Sequence, residues 1–167
     1  MKRSFFLLGC MAFVITSLAS CGYQLSSSVP IDMPQGIHSL YIDRIENPST
    51  EAWIESRLIS EVRDEFSRRG RVSWVEEDQA DGFLHLIITR YRDYTKVESA
   101  DEKTLKSQIA LSLQGKLLSA KDREVLWVSS PVHVRESFTG AAEKRRAEER
   151  VVRDAADALA NQLGSGF

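Results

Sequence analysis

Cysteine is scarce in this chain of 167 residues, which contains only Cys10 and Cys21. Cys10 lies within an apolar run, Phe5–Ile15, that follows a basic start. A basic start, an apolar run and small residues before a cleavage point are typical of an export signal, so we expect residues 1–20 to be removed. The remaining chain then keeps a single cysteine. It has no partner for an intramolecular disulfide, and its core must be held by burial alone.

An excess of basic residues is also lacking. The whole chain has a net charge of −2, and without Lys2 and Arg3, two of its 22 basic residues, the charge becomes −4 because all 24 acidic residues remain. Proteins that bind nucleic acid without specificity neutralise many phosphates with Lys and Arg. The charge therefore argues against a nucleic-acid partner.

Catalytic and metal-binding motifs are missing as well. The sequence has no Gly-x-Ser-x-Gly elbow and no glycine-rich phosphate loop. Its three histidines, His38, His85 and His133, stand far apart without a carboxylate or cysteine at metal-ligand spacing. We therefore predict a binding protein that is not an enzyme and has no catalytic residues, metal or cofactor.

The most specific motif that is present closes the export signal as Leu18-Ala19-Ser20-Cys21. It has the form of a lipobox, in which small residues admit the lipoprotein peptidase and the cysteine thiol receives diacylglycerol. The alternative is an ordinary secretory signal with a chance cysteine. Acyl chains contribute about 0.8 kcal/mol per buried CH₂, so lipidation would hold the protein at a membrane. We predict that Cys21 is lipidated, and Gly22 rather than aspartate after it favours the outer membrane.

After the predicted cleavage site, residues 21–36 are rich in serine and proline without a sustained period, which indicates a lipidated flexible tether. The folded domain is predicted over residues 37–167. Its first strand is Ser39–Ile45. A helix with Ser49 or Thr50 as its cap then carries one apolar stripe and ends before Gly70.

Further strands are predicted at Val72–Val75 and from Phe83 towards Tyr91, followed by a long exposed loop over Asp93–Thr104. Apolar residues alternate with polar ones from Leu105 to Leu117, which predicts a strand with one buried face. The strand Val125–Val128 should pair with it as a hairpin and continue weakly beyond Pro131.

The last predicted element is a helix over Ala141–Leu163, whose charged first turns should overhang the core. The elements together predict an α+β fold: two helices packed on one face of a four- to five-stranded mixed, mainly antiparallel sheet. The aromatic candidates for an interface are Trp53, Tyr91 and Tyr94, whereas Trp127 is expected in the core.

Five segments, taken in order and spacing, resemble one family. They are Cys21–Leu25, Leu40–Ile42, Glu55–Leu58, Glu65–Val72 and Gln79–Leu84. The chain resembles the LptE family of lipopolysaccharide-assembly lipoproteins over nearly all of the part that follows the export signal.

The resemblance implies a plug inside the β-barrel protein LptD, lipid-anchored in the outer membrane and facing the periplasm and the barrel lumen. Its partners would be LptD and lipopolysaccharide, which the pair inserts into the outer leaflet. The alternative is an envelope lipoprotein that activates a peptidoglycan synthase. Such a protein would favour a much longer disordered stretch after Cys21 than residues 22–36.

A negatively charged domain needs a local basic cluster to contact an anionic glycolipid. The candidate lipopolysaccharide contacts are Lys96, Lys103 and Lys106, in or beside the charged loop, and Lys144 and Arg145 on the first turns of the last helix. The alternative is that these residues are simply solvated, since acidic residues are interspersed among them.

Overall fold

The computed structural model describes residues 30–31, 33–34, 36–70, 72–97 and 105–164. The predicted lipidation site, Cys21, and the export signal lie outside these residues. The elements, in chain order, are β1 (Ser39–Glu46), α1 (Trp53–Arg69), β2 (Ser73–Trp74), β3 (Gly82–Val97), β4 (Leu105–Ser119), β5 (Val125–Val128), β6 (Val132–Phe138) and α2 (Ala141–Gly164).

The predicted α+β class is confirmed. The sheet has six strands in the order β2-β1-β3-β4-β5, and β6 pairs with β4. It is mixed, because β1 runs parallel to β2 and β3 while the other pairs are antiparallel. The count exceeds the four or five expected because the chain after Pro131 does not prolong β5. It forms β6 as a separate strand.

Strand β4 pairs with three other strands of the sheet, and its apolar and polar side chains alternate between the two faces. Leu111, Leu113 and Leu117 are buried beneath the helices. Ala110, Ser112 and Gln114, which alternate with these leucines along the strand, lie on the opposite face. This confirms the predicted alternation from Ile109 to Leu117, the part of the segment whose apolar side chains are described.

Helix α2 crosses β4 at Gly115. A Cβ atom at this position would lie 2.9 Å from Cδ1 of Leu159, closer than real contacts allow. The absence of a side chain here, together with small buried residues of α2 such as Ala155 and Ala156, lets the helix pack directly on the strand.

Helix α1 begins later than predicted. It starts at Trp53 rather than just after Ser49 or Thr50. The side-chain oxygen of Asn47 accepts hydrogen bonds from the backbone N–H of Ser49 at 3.1 Å and from its hydroxyl at 2.7 Å. The Asn47 amide also donates to the carbonyl of Glu51. These bonds hold residues 47–51 in a turn.

The prediction of a loop over Asp93–Thr104 is wrong for its first part. Strand β3 continues to Val97, and its last residues pair with the start of β4 in continuous register. Residues 92–95 are exposed, so the strand has no apolar alternation from which it could be predicted. Residues 98–104 lie outside the described residues.

An ion-pair network joins the two helices. The Arg69 side chain is only 2% exposed and pairs with Glu65 on its own helix and with Asp157 on α2. It also donates to Asn161. Arg68 pairs with Glu65 as well, but its side chain is 56% exposed.

Replacing Arg69 should therefore destabilise the protein strongly. Arg69→Ala leaves the buried Glu65 carboxylate without its main partner, and the loss of one member of a buried pair costs about 3–5 kcal/mol. The exposed neighbour Arg68→Ala is the matched control and should cost less than about 1 kcal/mol. Urea unfolding of both variants measures the difference. Equal free energies of unfolding would contradict the structural role of Arg69.

Candidate functional site

A cleft opens on the sheet face that the helices leave uncovered. Its volume is about 640 Å³, and strands β3, β4 and β6 supply its walls and floor. The lining residues are Thr89, Arg90, Arg92, Tyr94, Ala110, Leu111, Ser112, His133, Val134 and Arg135. We call it the arginine cleft.

Small side chains on the central strand form the floor of the arginine cleft. In the strand register, Ala110 lies between Arg92 and Arg135, and Ser112 lies between Arg90 and His133. Neighbouring strands are about 4.8 Å apart, so the long side chains of each row stand roughly 10 Å apart at their bases. Short residues between long ones leave the hollow.

A β-bulge places the two arginines of β3 on this face. The register of β3 against β4 shifts between Ile88 and Arg90, so that one extra residue, Thr89, enters the strand. Ile88 lies opposite Leu113, and Tyr91 lies opposite Leu111, both on the helix side. A regular strand would alternate without this shift and would turn Arg90 towards the helices.

The cleft is strongly positive. Arg90, Arg92 and Arg135 are exposed, and none of its lining residues is acidic. Within the described part of the chain, no ion pair is formed by these three arginines, whereas Arg150 on the helix side pairs with Glu136 at 2.8 Å. Planar guanidinium groups bind phosphate and carboxylate through paired hydrogen bonds. The arrangement suits an oxyanion.

His133 and Ser112 form a polar pair in the same cleft. The distance between Nδ1 of His133 and the hydroxyl oxygen of Ser112 is 2.8 Å. Ser112 is buried, while His133 is exposed. The hydrogen bond holds the imidazole ring against the wall of the cleft.

The predicted basic contacts are not among the residues that line the arginine cleft. Lys144 pairs with Asp93 at 2.6 Å and with Glu148 at 3.8 Å, and the hydrogen bond that its ammonium group donates to Asp93 raises the pKa of Lys144. Lys96 and Lys106 are register partners in the β3–β4 ribbon. Arg145 lines a groove between the helices, and Lys103 lies outside the described residues.

The aromatic candidates have different surroundings. Trp53 packs edge to face on Tyr91, with ring centroids 6.2 Å apart, and its Nε1 donates to Glu51. Burial raises the pKa of Tyr91. Trp127 is buried, as predicted, and Tyr94 is 40% exposed at the rim of the arginine cleft. The position of Trp53 is therefore explained by its packing within the domain, and Tyr94 stays the exposed aromatic candidate for an interface.

Two further features are absent from the described residues. Neither helix in this part of the chain is long and apolar enough to cross a membrane. No group of three or more His, Cys, Asp or Glu side chains is placed to hold a metal ion in the same ranges.

The sequence profile of the family described as LptE, lipopolysaccharide-assembly, matches residues 37–163. The chain belongs to the LptE family. It is thus a lipopolysaccharide-assembly lipoprotein, and its family is one of non-enzymatic envelope lipoproteins. No curated protein sequence matches it.

Solved structures of low sequence identity share the fold. Uncharacterized lipoprotein B from Nitrosomonas europaea is 14% identical, with a TM-score of 0.55 over 86% of this chain and 91% of that one. A protein from Xanthomonas campestris is 13% identical, with a TM-score of 0.51 over 82% and 87% of the two chains. At such identities the likeness concerns the fold alone.

Because the three arginines of the cleft form no ion pair within the described ranges, we predict that they contribute little to stability. Arg135→Gln should change the free energy of unfolding by less than about 0.5 kcal/mol, as is usual for exposed positions. Arg150→Gln, on the helix side of the sheet, removes the ion pair with Glu136 and should cost up to about 1 kcal/mol. Urea unfolding compares the two variants. A larger loss for Arg135→Gln would assign it a structural role.

Proposed function

We propose that this protein is anchored in the outer membrane through lipidated Cys21, sits as a plug inside LptD, and takes part in inserting lipopolysaccharide into the outer leaflet. Membership of the LptE family supports the proposal. The lipobox also supports it, since a lipid on Cys21 would attach the protein to a membrane.

The observation that carries a direct contact with lipopolysaccharide is the arginine cleft. Lipopolysaccharide bears phosphate groups on its lipid-proximal sugars. Three guanidinium groups, which form no ion pair within the described residues, stand around a hollow floor and suit such a group. The protein as a whole is negatively charged, so contact outside a local positive site would be repulsive. We propose the cleft as the main contact and retain Lys96, Lys103, Lys106, Lys144 and Arg145 as a second candidate surface.

Lipidation is tested at Cys21. Cys21→Ser removes the thiol that would receive diacylglycerol, so we expect an uncleaved precursor without lipid. Mass spectrometry of the N-terminus measures this directly. A mature wild-type chain that starts at an unmodified residue would contradict the proposal.

The plug role is tested by purification of the lipidated protein from membranes. We expect a large outer-membrane barrel to accompany it, because a plug buries an extensive surface. Such an interface should tolerate single alanine changes outside hot spots. Recovery of a peptidoglycan synthase instead of a barrel would favour the activator alternative.

The lipopolysaccharide contact is tested with charge-neutral variants. The triple variant Arg90→Gln, Arg92→Gln and Arg135→Gln should lower the affinity for lipopolysaccharide at least tenfold, because hydrogen bonds to charged groups contribute about 1.5–3 kcal/mol each. Arg150→Gln, which changes the same charge type on the opposite face, should bind as the wild type does.

A second variant separates the two surfaces. It reverses Lys103, Lys106, Lys144 and Arg145 to glutamate. If this variant loses binding while the triple arginine variant keeps it, the contact belongs to the ribbon and the first turns of α2, and the cleft proposal fails.

A further inference from the structure

The Ser112–His133 pair gives the arginine cleft a group whose charge can change. His133 lines the cleft, and its Nδ1 is held by the Ser112 hydroxyl at 2.8 Å. Among the described residues, the bond to Ser112 is the one hydrogen bond that the His133 ring makes, so its Nε2 is left for a group bound in the cleft. Histidine is the side chain that ordinarily changes charge between pH 5 and 8.

The hydrogen bond to Ser112 survives in both protonation states. A neutral imidazole has one donor and one acceptor nitrogen, and a hydroxyl can act as either. When the ring is protonated, both nitrogens donate: Nδ1 to Ser112, and Nε2 to a group in the cleft. Protonation thus adds a positive charge and a donor without a change of ring position.

The residues around His133 are neutral or positive, so the charge of a protonated ring would be stabilised only by a bound anion. The charged groups that line the cleft with His133 are Arg90 and Arg92 on β3 and Arg135 on its own strand. Strand β4 contributes the uncharged Ala110 and Ser112, and no lining residue is acidic. A bound oxyanion supplies the opposite charge, so binding of the anion and binding of the proton must reinforce each other.

We propose that His133, oriented by Ser112, is a proton-dependent contact for the oxyanion in the arginine cleft, and that the affinity of the cleft for phosphate or sulfate groups rises as the pH falls from 8 to 6. The inference rests on the proposed function of the cleft, and it adds a pH response to it.

Sulfate is the probe of choice, because its own charge does not change in this pH range. Its binding to the mature protein in detergent is followed by the backbone amide NMR signals of Ala110 and Arg135 at pH 6 and pH 8. We expect at least fivefold tighter binding at pH 6.

The variant His133→Gln keeps a hydrogen-bonding side chain but cannot gain a charge. Its sulfate affinities at the two pH values should differ less than twofold. His38→Gln, at an exposed histidine outside the cleft, is the matched control and should keep the wild-type response. A full pH response in His133→Gln, or no sulfate binding to the wild type at either pH, would overturn the inference.

A second arm identifies the source of the oxyanion. The same comparison of wild type with His133→Gln is made with lipopolysaccharide micelles and with the phosphorylated sugar backbone freed of its acyl chains. A His133-dependent response in the micelles supports a glycolipid ligand. A response to sulfate and the free sugar phosphate alone supports the inference about His133, while it contradicts lipopolysaccharide as the ligand of the cleft.

Discussion

The two-residue alternation of β4 is the constraint on which the rest of the structure depends. This strand pairs with β3 along its whole length on one edge and with β6 and β5 in turn on the other. Its leucines are buried, and Gly115 admits Leu159 of α2 at close range. A shift of one residue in register would turn the leucines to solvent. The uncovered face is therefore as firmly positioned as the core.

The β-bulge at Thr89 places the arginines of β3 on the face opposite the helices. Before it, β3 buries Leu84, Leu86 and Ile88, and after it Arg92 emerges on the uncovered face. The acidic partners Asp93 and Glu136 are engaged on the helix side, by Lys144 and Arg150. A protein with net negative charge thus has a positive cleft with no acidic side chain among its described lining residues. This local excess supports a proposed contact with an anionic glycolipid, which diffuse charge could not provide.

The network around Arg69 fixes the helices relative to each other, and the Asp81 carboxylate does the same for two strands. Asp81 accepts hydrogen bonds from the Ser39 hydroxyl at 2.8 Å and from the backbone N–H of Ser39 and His38. The hydroxyl of Ser39, followed by the His38 amide, holds the pKa of Asp81 below its usual value. These contacts keep the start of β1 beside the start of β3, in a protein whose domain has no disulfide to do so.

The sequence by itself determined what depends on neighbours along the chain: the apolar stripes of both helices, the alternation of β4, the lipobox and the segments that resemble the LptE family, a membership since confirmed. Tertiary structure decided what depends on register. The ribbon at Asp93–Val97 has no apolar period, and the Asn47 turn displaces the start of α1. Arg92 and Arg135 are far apart in sequence and line one cleft only because their strands flank β4 on opposite sides. A bulge changes the face of the sheet on which the following side chains lie. The sequence pattern of one strand does not reveal a bulge, because the extra residue is identified only from the pairing with the neighbouring strand.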